Sequence, residues 1–164
     1  MDLSKFSEEE LLLTAMRSEI ESKDFYAKLA SRVKNFLLKD RLEFLSKEEE
    51  KHRTFFENTF KDKFPGKKLV LPKKSQVPLP ELKISDESVA ISEVFWSAMQ
   101  AEKAAHEFYT GLAERLSGND QLKKSILYIA TMEMGHYKLL EVERENAERF
   151  EDYDVEWPLF HVGP

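Results

Sequence analysis

The chain has 164 residues, of which 41% are hydrophobic and 34% charged, and a formal net charge of −6. That length suits one domain with a sizeable core, and the acidic balance excludes a nucleic-acid surface, because the one basic patch, PGKKLVLPKK at 65–74, is too short to neutralise a run of phosphates. No cysteine is present, which excludes disulfides, thiolate catalysis and rubredoxin-type or iron–sulfur centres, so any metal must be held by histidine and carboxylate.

The first helix is predicted over about residues 8–33. Ser7 can cap it, Glu10 closes a capping box, and Phe6 with Leu11 forms a hydrophobic staple. Along it Leu12, Ala15, Glu19, Ser22, Tyr26, Leu29 and Val33 step by threes and fours, which is a helix seam with a charge set into it. The second helix, about 36–62, repeats the pattern with Leu38, Leu42, Leu45, Glu49, His52, Phe56 and Thr59. Around this seam Glu48, Glu50 and Lys51 are expected to face water.

Residues 63–87 contain Pro65, Pro72, Pro78 and Pro80 and read as an extended connection. At about 3.3 Å per residue it can run the length of a helix of that size, which rises only ~1.5 Å per residue. A third helix over about 88–116, capped by Ser85 or Ser88, carries Ala98, Glu102, Ala105, Tyr109, Leu112 and Leu116. The sequence SGND at 117–120 stops it, and a fourth over about 120–148 carries Leu122, Ile126, Ile129, Glu133, His136 and Leu140. The tail from 149 to 164 is acidic and aromatic and has no sharper reading.

The two halves repeat. EIESKDFYAKLA from Glu19 aligns with EKAAHEFYTGLA from Glu102, and EEKHRTFF from Glu49 aligns with EMGHYKLL from Glu133. The fold expected is all-α: a four-helix bundle made of two helical hairpins joined by a long crossover connection.

Six polar residues, Glu19, Glu49, His52, Glu102, Glu133 and His136, occupy core positions of this register. Burying unpaired carboxylates is costly, and four in one core need a shared counter-charge. Two divalent cations supply it, with two neutral imidazoles completing the donor set. Glu and His at i, i+3 project from one helix face, and hard oxygen donors with one nitrogen per metal suit iron or manganese while leaving positions open for dioxygen or peroxide. A single Glu-x-x-His in a charged helix is usually solvated surface; two, each preceded by a helix with an in-register Glu, are not. Tyr26 and Tyr109 lie on the seam one turn beyond a ligand and fit core filling or a hydrogen bond to the centre. His106 lies four residues after Glu102 but off the seam, and fits surface better. His161 is expected to be unrelated.

The motifs E-x5-FYxxLA at Glu19 and Glu102, EEEKH ending at His52 and EMGH ending at His136 resemble the rubrerythrin branch of the ferritin-like superfamily. The resemblance spans most of 8–148. It implies a ferritin-like bundle with Glu19, Glu49, His52, Glu102, Glu133 and His136 as ligands of two iron ions, with manganese or a mixed pair as alternatives. It also implies an oxidoreductase of the peroxidase or ferroxidase type, a small-molecule oxidant, a separate electron donor such as a rubredoxin, and a homodimer. Rubrerythrins commonly place a further Glu where this chain has Ala105; the symmetric place is Ser22. The remaining ligand set is similar to that of bacterioferritin or a manganese catalase. An iron-sequestering protein and a structural dimerisation module are the other readings. MDLSKFSEEE has no apolar signal core, and no run approaches the ~18 apolar residues of a membrane span, so a cytoplasmic protein without a membrane partner is expected.

Overall fold

A computed structural model describes residues 2–73, 89–116 and 118–149. It contains four helices: α1 (Glu8–Ala30), α2 (Phe36–Lys63), α3 (Ile91–Arg115) and α4 (Asp120–Arg149). No strand occurs among the described residues. The architecture is all-α and that of a ferritin-like bundle.

Local chemistry sets the helix ends. The Ser7 side chain accepts from the Glu10 amide at 3.2 Å while the Ser7 amide donates to the Glu10 carboxylate at 2.8 Å, completing the capping box. Asn35 accepts from the amides of Leu37 and Leu38, and Asn119 from that of Leu122. α1 stops at Ala30, short of Val33, because a turn follows in which the Val33 amide still donates to the Leu29 carbonyl. α3 begins one residue after Ala90, which makes no side-chain cap; Ser85 and Ser88 lie outside the described residues.

α1 and α2 form one closely packed pair and α3 and α4 the other. Contacts across the bundle give its polarity. Tyr26 meets Glu102 and Tyr109 meets Glu19, so as numbers rise along α1 they fall along α3. His52 meets Glu133 and His136 meets Glu49, so α2 and α4 are antiparallel too. The two hairpins are therefore related by an approximate two-fold axis perpendicular to the helices.

The connection leaves α2 beside the start of α1, where Lys63 and Glu8 pair at 2.9 Å and Lys67 pairs with Glu9. Gly66 takes the left-handed conformation that glycine accepts at φ +79. The chain then runs alongside α1, with Arg17 donating to the Pro72 carbonyl at 2.8 Å. Its path up to residue 73 is the start of a crossover; 74–88, the rest of the expected connection, lie outside the described residues.

Two apolar clusters fill the bundle, one at each end. The first gathers Leu11, Leu12, Met16, Phe56, Phe60, Phe108, Leu112 and Ile126, closed by Leu3, Phe64, Leu69 and Leu71. A side chain at Gly111 would meet Leu3, whose Cδ1 lies 2.8 Å from the place of a Cβ, so the glycine admits that plug. The second gathers Phe25, Leu29, Leu38, Leu42, Leu45, Phe95, Met99 and Leu140. Between them lies a polar layer.

Candidate metal centre

The polar layer is built by the middle of all four helices, where backbone hydrogen bonding is complete and side chains point inward at fixed spacing. Glu19 comes from α1, Glu49 and His52 from α2, Glu102 from α3, and Glu133 and His136 from α4. All six are buried, none more than 4% exposed.

Their atoms converge in two overlapping groups. Glu19, Glu49, His52 and Glu133 form one and Glu49, Glu102, Glu133 and His136 the other, with the potential ligand atoms of each group all within 4.8 Å of one another. His52 Nδ1 lies 3.0 Å from Glu133 Oε1, 3.3 Å from Glu49 Oε2 and 3.7 Å from Glu19 Oε2. His136 Nδ1 lies 3.2 Å from Glu49 Oε1, 3.6 Å from Glu133 Oε2 and 3.7 Å from Glu102 Oε2. Glu49 and Glu133 thus each turn one oxygen to each histidine, which is the placement of a bridging carboxylate. Glu19 and Glu102 serve one side each.

These short approaches lack hydrogen-bond alignment. Both oxygens of Glu49, both ring nitrogens of His52, Glu133 Oε1 and His136 Nδ1 are buried without a hydrogen-bond partner. Orphaned polar atoms at this density would be a heavy cost in a finished core. The electrostatics points the same way. Burial pushes Glu19 up to about 8, with Glu49 adding to the rise, and burial followed by Glu19 pushes Glu133 up to about 7. Burial alone would lower His52, but the carboxylates of Glu133, Glu19 and Glu49 outweigh it and push it up to about 12. His136 is likewise raised, with Glu102, Glu133 and Glu49 overcoming burial. The cluster calls for positive charge, and two divalent cations against four carboxylates would neutralise it. The donor set therefore fits a dinuclear metal centre.

Two tyrosines brace it crosswise. Tyr26 of the first hairpin donates to Glu102 of the second, and Tyr109 of the second donates to Glu19 of the first. Both rings are fully buried, and burial followed by the adjacent carboxylates raises both phenols well above their ordinary range, so they remain donors. His106 belongs to neither group of ligand atoms: its Nδ1 lies 2.7 Å from the Ala130 carbonyl, linking α3 to α4. His161 lies outside the described residues.

The structure corrects one reading and adds another. Glu48 does not face water; it is 7% exposed on the side of α2 turned to α4, where Lys51 pairs with it. Glu143, 1% exposed, is a further buried carboxylate and pairs with Arg41 of α2. Its signal was present, since Glu133, His136, Leu140 and Glu143 continue the three-four step.

Comparison with known proteins agrees with this geometry. The rubrerythrin family model matches residues 10–144. The chain belongs to the rubrerythrin family. A hypothetical protein from Pyrococcus furiosus has a similar structure, with 34% identity, a TM-score of 0.82, and coverage of 90% of this chain and 94% of that one. No curated protein matches. The family binds a dimetal centre, and in this rubrerythrin-family chain the buried Glu/His layer is compatible with one. Among the described residues no helix is long and apolar enough to cross a membrane.

Proposed function

We propose that this protein is an oxidoreductase that uses a dinuclear iron centre held by Glu19, Glu49, His52, Glu102, Glu133 and His136 to act on peroxide or dioxygen. The observation that carries the reading is the sharing of Glu49 and Glu133 between the two histidines, with their buried ligand atoms otherwise unpartnered. A bound iron pair would supply two electrons for cleavage of an O–O bond and open positions for the oxidant.

The chain's own residues supply the setting. Glu49 and Glu133 would serve both ions, while Tyr26 and Tyr109 hold one oxygen each of Glu102 and Glu19 and so fix which oxygen is left to face inward. Phe56, buried against Tyr109 with ring centroids 4.9 Å apart, and Phe108 keep water from that side of the layer. With no cysteine in the sequence, electrons come from a separate donor, such as a rubredoxin. A homodimer in the cytoplasm completes the proposal.

Anaerobic loading with ferrous iron tests it. Retention of iron, oxidation by hydrogen peroxide in stopped flow and many cycles under an external reductant are expected. Failure to retain iron or manganese would overturn the reading. Iron sequestration is favoured by Ala105, which stands where rubrerythrins commonly carry a further Glu, and it predicts one slow oxidation without turnover. A dimanganese catalase predicts dioxygen release from hydrogen peroxide by the manganese-loaded protein.

A further inference from the structure

The two-fold relation between the hairpins breaks down on the face between α2 and α4. Arg41 of α2 and Glu143 of α4 are level with each other and form an ion pair across that face. Their two-fold counterparts, 84 residues away in each direction, are Ser125 and Thr59. A serine and a threonine cannot reach across. At that end a groove of about 580 Å³ opens, and it runs to His52, which forms part of its wall. At the other end the ion pair crosses the corresponding place.

The groove's lining states what would fit. Phe55, Ile129, Met132 and the exposed ring of Tyr128 make an apolar wall, and Glu48 paired with Lys51 makes a polar edge beside His52. His52 has its Nδ1 turned to the carboxylates of the centre, and its Nε2, the other polar atom of a ring only 3% exposed, has no partner among the described residues. Hydrogen peroxide is not much larger than a water molecule, whose share of the liquid is about 30 Å³; a groove of this size is on the scale of drug-sized ligand pockets, roughly 300–1,000 Å³.

We propose that this groove is a binding site for an organic hydroperoxide, with its hydrocarbon part against Phe55, Ile129 and Met132 and its hydroperoxyl end towards His52. The inference rests on the peroxide reading and deepens it by naming the substrate class and the side of approach. The overall change is ROOH with two electrons and two protons giving ROH and water, the O–O bond being the one that breaks. It draws on the same external one-electron donor as hydrogen peroxide would. Ser125, which lines the groove, is then a specificity residue, because a larger side chain there would narrow it.

The test uses zinc-loaded protein, which is redox-inert, and cumyl alcohol, the alcohol that cumene hydroperoxide leaves. Saturation-transfer NMR is expected to show binding, protein amide spectra to show shifts confined to the α2–α4 face, and Ser125→Arg to lose affinity roughly tenfold. Tyr128→Ser, at a position 67% exposed and so without demand on the core, is the second variant and also weakens binding. In the ferrous protein the rate with cumene hydroperoxide relative to that with hydrogen peroxide falls in both variants. No binding, binding elsewhere on the surface, or an unchanged ratio while hydrogen peroxide is still consumed would overturn this inference alone. Failure of both peroxides to oxidise the ferrous protein would overturn the peroxide reading beneath it.

Discussion

The first hairpin supplies Glu19, Tyr26, Glu49 and His52, and the second supplies Glu102, Tyr109, Glu133 and His136, at matching places in matching helices. Around these residues the hairpins differ: Thr59 stands against Glu143, Ser125 against Arg41, Lys23 against His106, and a fully formed capping box before α1 against an uncapped Ala90 before α3. Positions that must present a donor atom to a shared centre allow little choice, since an error of an ångström or so leaves an orphaned charge in the core. Positions that only fill space or meet water tolerate many solutions, and there the halves have diverged.

The largest effect expected from that contrast separates shared from unshared ligands. Glu49→Ala or Glu133→Ala removes an oxygen from both positions and is expected to cost the protein both metal ions, whereas Glu19→Ala or Glu102→Ala costs one; metal analysis after anaerobic loading reads the difference.

The crossed tyrosines sharpen the comparison. Tyr26→Phe is expected to weaken the metal of the second hairpin, beside Glu102, and Tyr109→Phe that of the first, each by roughly ten- to a hundredfold. Stepwise metal titration with a spectroscopic probe distinguishes this from loosening of the variant's own half, which would contradict the crosswise bracing.

A smaller contrast concerns the unmatched pairs. Arg41→Ala removes the ion pair that Arg41 makes with the buried Glu143 and is expected to cost about 1 kcal/mol, while Ser125→Ala at the two-fold counterpart stays within about 0.5 kcal/mol, both by urea denaturation.

A separate effect is graded with pH. Glu19 and Glu133, raised by burial to about 8 and about 7, hold protons in the metal-free fold that the unfolded chain releases near its ordinary 4.5. The metal-free protein therefore loses stability as pH rises from about 4.5 to about 8. His52, raised to about 12, holds a proton that the unfolded chain releases near 6.5, so its contribution also declines above that value. Metal binding displaces these protons, so affinity rises over the same range. Thermal melts from pH 5 to 9, with and without metal, are expected to diverge; parallel curves would refute the linkage.

The six residues of the buried Glu/His layer were legible in the sequence because each interrupts an apolar three-four step with a polar group, and because the interruption occurs twice in the same order. The four helices followed from the same periodicity and from caps such as Ser7 with Glu10 and Asn35. Periodicity describes one helix at a time and says which residues face inward, but not which of them meet. The sharing of Glu49 and Glu133, the crosswise reach of Tyr26 and Tyr109, the burial of Glu48 and the meeting of Arg41 with Glu143 all depend on which helices are neighbours, in which direction they run and at what level they pass. Sequence by itself determined the donor set and the helices that carry it. Only the antiparallel assembly of the two hairpins decided how those donors are divided between two positions, and why the face between α2 and α4 is crossed by an ion pair at one end and open beside His52 at the other.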